Sequence, residues 1–196
     1  MIVSALPAVQ RPALQQELEL TAHGRSVALL AMQLAEAVGF DSGDVRRIGL
    51  AGALHDVGKR ALDPRILAKP DPLDPADWEQ IRRHPELGER ILRRVGLNDA
   101  ARWVRWHHER PDGRGYPDGL RGQEIPREAA ILAVADAFDA MITNRCYGQQ
   151  LDQDEAVHEL CRCAGTQFDP TVVAAALRCD LHVSDGTDAH IADRLG

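Results

Sequence analysis

Apolar residues recur every three or four positions through most of this chain and nowhere alternate strictly with polar ones, a pattern that predicts helices and no strands. From Ala13 to Val38 the series Leu14, Leu18, Ala22, Leu29 and Met32 has helical spacing, and Gly39 is a fitting stop. A second helix, with Asp44 as its cap, carries Val45, Ile48, Leu50, Ala51 and Leu54 and runs into His55-Asp56-Val57-Gly58-Lys59. Pro64, Pro70 and Pro72 then break the chain, after which Asp74-Pro75 opens a third helix containing Trp78, Ile81, His84, Leu87, Ile91 and Leu92, with Gly96 near its end. Residues 99–109 make a fourth, leading into the glycine-rich stretch HHERPDGRGYP, residues 107–117. The fifth, Ala129 to Ile142, is the most apolar, interrupted only by Asp136 and Asp139. Asp136 sits deeper in the apolar run and needs a partner, whereas Asp139 is expected to face solvent or cap a turn. Two more helices are expected, from Asp152 to Ala164 and from Asp169-Pro170 to Leu177. The expected fold is an all-α, single-domain helical bundle: residues 1–12 a leader or linker, 13–180 the domain, 181–196 a polar tail.

Composition narrows this picture. Aromatic residues are 4% of a chain that is 44% hydrophobic, with alanine and leucine prominent, which suits helix packing. A formal charge of −7 argues against a binder of nucleic-acid polymers, which would carry a basic stripe. No apolar run approaches the ~20 residues of a membrane span, and the first ten residues lack a signal-peptide pattern. The four cysteines have no paired CxxC spacing, so they read as reduced thiols in the cytoplasm, Cys161 and Cys163 included.

The histidines add chemistry to the bundle. Five of the eight, His23, His55, His84, His107 and His108, fall with Glu19, Asp56 and Asp136 on or at the ends of predicted helices, while His158, His182 and His190 lie in the polar last third. Glu19 and His23 are four apart and share a helix face. A single core histidine is explained by hydrogen bonding, and a histidine pair before a Gly/Pro turn by ordinary turn chemistry. Helices converging on one point, however, can gather such residues into a metal site. Histidine and carboxylate donors without cysteine favour iron, manganese or zinc in a catalytic role. So many donors exceed one ion, so two or three are expected, with Asp56 placed to bridge. Paired ions suit phosphodiester hydrolysis, because they activate water and hold the phosphate. Lys59, one turn past His55, either neutralises charge on the phosphate and helps the leaving oxygen depart, or is a solvated lysine meeting the helix dipole. Gly113 to Pro117 offer a backbone that a ligand can approach closely and, in Tyr116, a flat ring with a polar tip.

Taken together, the sequence resembles the HD-GYP family of phosphodiesterases, a branch of the HD hydrolase superfamily. His55-Asp56 with Gly58-Lys59 matches the HDxGK signature, His84-Pro85 with Gly88 the HPxxG element, and His107 to Pro117 the HHExxDGxGYP block. Asp136 and Asp139 match DxxDA, and Arg145 with Tyr147 match RPY. The resemblance implies hydrolysis of cyclic di-GMP to linear pGpG, GMP or both. It implies two or three divalent ions in the bundle core, iron or manganese first and zinc, nickel or magnesium as alternatives. His55, Asp56, His84, His107, His108 and Asp136 would be ligands, with His23 upstream and Glu19 an added carboxylate in trinuclear members. Asp56 and Lys59 would serve catalysis, and Arg110, Arg114, Gly115, Tyr116, Pro117 and Arg145 would surround the substrate. Two elements depart from the family pattern: RPY reads Arg145-Cys146-Tyr147 followed by Gly148, and KPG reads Lys69-Pro70-Asp71. These departures keep two other readings open: a weakly active module binding cyclic di-GMP or a signalling protein through the GYP surface, and a hydrolase of another cyclic nucleotide. A homodimer is a further expectation.

Overall fold

Nine α-helices and no strand occur among residues 22–67, 69, 71–143, 150–179 and 181, which the computed structural model describes. They are α1 (Ala22–Val38), α2 (Ser42–Leu54), α3 (Pro64–Leu67), α4 (Pro75–Ile81), α5 (His84–Arg94), α6 (Asn98–Trp106), α7 (Arg127–Ile142), α8 (Gln153–Arg162) and α9 (Pro170–Cys179). Short 3-10 turns cover Val57–Ala61 and Gly122–Glu124. Glu19, Arg145, the 1–12 leader and residues 182–196 lie outside the described residues. Among the described residues no helix is long and apolar enough to cross a membrane.

The all-α expectation holds, and α7 shows why. Ala129, Ile131, Leu132, Val134, Ala135 and Phe138 are buried round most of it, because α7 is packed by α1, α2, α6, α8 and α9, and only the face of Ala133, Asp136, Ala137 and Ala140 is half-open. Helix α1 buries a single stripe, Val27, Leu30, Ala31, Leu34 and Ala35, and His23 heads that stripe one turn earlier. Gly39 ends α1 with φ +102, a left-handed conformation that favours glycine.

Three local expectations need correction. Asp41, not Asp44, caps α2: its Oδ1 accepts from the Gly43 and Asp44 amides at 2.8 and 2.9 Å. The expected third helix is two helices, α4 and α5, parted at Arg82-Arg83. Pro85 is the cause, since its missing N–H and its ring are incompatible with a helix continuing from Ile81. Finally, Leu181, placed by sequence in the polar tail, is 2% exposed and belongs to the core.

The loop carrying Asp56 comes close to α5 because two glycines face each other. A Cβ on Gly58 would stand 1.9 Å from the His84 carbonyl oxygen and 2.5 Å from the Gly88 amide nitrogen. Only bare backbone fits there, which accounts physically for the glycines of both the HDxGK and HPxxG elements.

Candidate active site

Helix ends leave carbonyls without amide partners, and here three imidazoles take them up. His55, His84 and His107 follow the ends of α2, α4 and α6, and each points Nδ1 at the carbonyl three residues back: Gly52 at 2.8 Å, Ile81 at 2.8 Å and Val104 at 2.6 Å. The Ile81 carbonyl is the one that Pro85, four residues on, cannot satisfy. Donation from Nδ1 leaves each Nε2 with its lone pair turned inward.

Those nitrogens meet in two groups. His84, His107 and His108 form one, His23, His55 and Asp56 the other, with donor atoms in each group within 4.8 Å of one another. In the first, His84 Nε2 and His107 Nε2 are 3.4 Å apart. Asp56 joins the two: its Oδ2 lies 3.4 Å from His55 Nε2 and its Oδ1 3.4 Å from His84 Nε2. Asp136 Oδ1 closes the far side, 3.1 Å from His23 Nε2 and 3.7 Å from His55 Nε2. His55 Nε2 is buried with no hydrogen-bond partner. A buried lone pair is costly when unused, so this atom and the converging donors around it fit divalent cations.

Charge states agree with that role. Burial pushes His107 far below the usual imidazole range and His108 down to about 4, so both are neutral near pH 7, as ligands must be. Burial opposes ionisation of Asp136, but the His23 hydrogen bond and the nearby His55 outweigh it and hold the carboxyl well below its ordinary range. Asp56 is depressed in the same way: against burial, His55 and Lys59 keep it ionised.

A cavity of about 510 Å³ opens beside this centre, walled by His107, His108, Asp136, Tyr116, Arg82 and Gly115 among others. Arg110 and Arg114 also line it, whereas Pro117 does not. Tyr116 stacks on His108 with ring centres 4.8 Å apart. Gly115 has a packing reason as well: a Cβ there would come within 2.6 Å of the backbone of His108, Glu109 and Arg110. Lys59 reaches the centre through Asp56, with Nζ 2.7 Å from Oδ2, and otherwise faces a separate groove lined by Trp78, Leu67 and Lys69.

Two residues emerge that sequence reasoning left without a role. Asp139, expected at the surface or in a cap, is 2% exposed and lies 2.5 Å from His23 Nδ1. Its signal was present: three residues after Asp136, it shares that residue's helix face. Glu109 is 3% exposed, and its carboxylate accepts the amides of Asp118, Gly119 and Leu120 at 2.6, 3.0 and 3.0 Å, pinning the loop that follows Tyr116.

With this geometry in hand, comparison with known proteins is decisive: residues 8–172 match the HD domain family. The chain belongs to that family. Its HDxGK and HHExxDGxGYP motifs place this HD-domain protein in the HD-GYP branch. It is 38% identical over 173 residues to a cyclic di-GMP phosphodiesterase of Thermotoga maritima, covering 87% of this chain and 47% of that protein. It is 37% identical over 162 residues to 3'3'-cGAMP-specific phosphodiesterase 2 of Vibrio cholerae, covering 81% and 31%. Among solved structures, an HDG"Y"P protein from Bdellovibrio bacteriovorus superposes with a TM-score of 0.64 at 23% identity, over 85% of this chain and 56% of that one, a likeness of fold. The chain thus spans less than half the length of these two curated relatives.

Proposed function

We propose that this HD-domain protein, with residues 13–180 as its domain, is a metal-dependent phosphodiesterase that hydrolyses cyclic di-GMP to linear pGpG, GMP or both, in second-messenger signalling. The observation that carries this reading is Asp56, whose two oxygens face His55 and His84 at 3.4 Å each and so join two ligand groups beside a substrate-sized cavity. Divalent ions bound there would supply an activated water near neutral pH and offset charge on the phosphate. His23, His55, Asp56 and Asp136 would hold one ion, His84, His107, His108 and Asp56 the other, and Glu19 would add a carboxylate for a third. Nitrogen and oxygen donors without thiolate suit iron or manganese. Lys59 would neutralise charge on the phosphate beside Asp56. Tyr116 offers a face to a guanine base, and Arg114 and Arg145 are candidates to pair with phosphate or stack on guanine. The lack of paired cysteine spacing supports a cytoplasmic setting.

Incubating metal-loaded protein with cyclic di-GMP and separating the nucleotides tests this. Linear product is expected, and none above an Asp56→Ala control would exclude the reading.

A second reading, hydrolysis of another cyclic dinucleotide, is favoured by the 37% identity to a 3'3'-cGAMP-specific phosphodiesterase. Relative kcat/KM for the two nucleotides decides between them.

A further inference from the structure

The cavity's arginines are not equivalent. Arg110 is committed: its Nε and Nη2 lie 3.1 and 2.7 Å from the two oxygens of Asp112. Arg114 feels the same carboxylate and helps depress its pKa. Arg105, which does not line the cavity, is held by Asp118 and Glu89 at 2.7 and 2.9 Å. Arg82, like Arg114, lines the cavity without a side-chain ion pair to an acid among the described residues. Its guanidinium carbon lies 5.5 Å from the centre of the Tyr116 ring, which in turn stacks on His108. The sequence puts it there because Pro85 stops α4, so the chain turns at Arg82-Arg83 immediately before His84.

A cyclic dinucleotide carries two phosphodiesters. When one lies at the metal centre, the other enters the cavity and needs a cation. A guanidinium resting on a tyrosine face is ordered in advance, and its N–H edge remains free for a bidentate pair with phosphate. We propose that Arg82 grips the phosphodiester that is not cleaved. The assignment rests on the cyclic dinucleotide reading of the site, and it adds to the residues expected around the substrate one that lies outside the GYP block.

Arg82 would act in ground state and transition state alike, so its loss should appear in KM. For Arg82→Ala on cyclic di-GMP, KM should rise by about 10- to 100-fold with kcat changed less than about threefold. Bis(p-nitrophenyl) phosphate has one phosphodiester and serves as the comparison. The loss in kcat/KM on cyclic di-GMP should exceed that on this small diester by about tenfold or more. Parallel losses on the two substrates, or an unchanged KM for cyclic di-GMP, would overturn the assignment while leaving the proposed activity standing. Wild-type protein that cleaves the small diester but neither binds cyclic di-GMP by calorimetry nor cleaves it overturns the substrate reading, and Arg82's role with it.

Discussion

Asp139 holds His23 from behind: Asp139 Oδ2 sits 2.5 Å from His23 Nδ1, while His23 Nε2 faces Asp136 Oδ1 at 3.1 Å. Both carboxylates come from one face of α7, so a single helix supplies a candidate ligand and the group that orients the imidazole beside it. Carboxylates behind ligating histidines fix the ring and raise its basicity, and losing one lowers metal affinity about 10- to 100-fold. Asp139→Asn is therefore expected to bind Mn(II) or Fe(II) more weakly by that factor in a chelator competition titration, with the helical circular dichroism retained. Affinity equal to wild type would remove Asp139 from the site.

The contact between Gly58 and α5 sets a stability prediction. A Cβ at Gly58 would meet the His84 and Gly88 backbones at 1.9 and 2.5 Å, and backbone cannot swing aside as a side chain can. Gly58→Ala should cost about 3 kcal/mol in urea unfolding, the upper range for overpacking. It should also lose bound metal, since Asp56 and His84 are brought together by that contact. A change within about 0.5 kcal/mol, the range of ordinary surface substitutions, would show that the loop can move without penalty.

Glu109 tests whether the GYP loop is held from below. In Glu109→Gln one oxygen can still accept the Asp118 and Gly119 amides, but the NH2 group then points a donor at the Leu120 amide. Stability should fall by roughly 2 kcal/mol for the mispaired buried group. KM for cyclic di-GMP should rise because Tyr116 is less well placed, while metal content stays at the wild-type level. Metal loss equal to that of His107→Ala would mean that Glu109 acts on the ligands instead.

A pH-dependent contribution is expected from Arg105 and Asp118. The Arg105 hydrogen bond, with help from Trp106, holds the Asp118 carboxyl below its usual range despite an opposing effect of burial. A depressed folded pKa means that the stabilisation is complete above the unfolded value of about 3.9 and is lost as pH falls through the folded value. Asp118 is 35% exposed, so solvent screening limits the pair to about 1 kcal/mol or less. The stability difference between wild type and Asp118→Asn should be flat from roughly pH 5 to 8 and shrink below about pH 4. A difference that grows on acidification would contradict the pairing.

Much of this was legible in the sequence because it depends on spacing. Helix period located α1, α2 and α6 to α9, and the histidines that end helices were readable as inward-facing once several shared that placement. What escaped depends on three-dimensional approach. Pro85 signalled a break inside the expected third helix, yet the apolar period ran across it from Ile81 to Leu87. Asp139 looked solvent-facing because no periodicity shows which side of an all-round apolar helix is covered, and α7 leaves only the face of Ala133, Asp136, Ala137 and Ala140 half-open. Arg110 looked available for substrate because its ion pair with Asp112 depends on the loop's path, which the sequence does not display.

The central claim is that Asp56 joins two histidine groups into one multinuclear centre. Elemental analysis of protein reconstituted with Mn(II) or Fe(II) and freed of excess metal tests it most directly. At least two ions per chain are expected in the wild type, falling in Asp56→Ala; one ion or fewer per wild-type chain would contradict it.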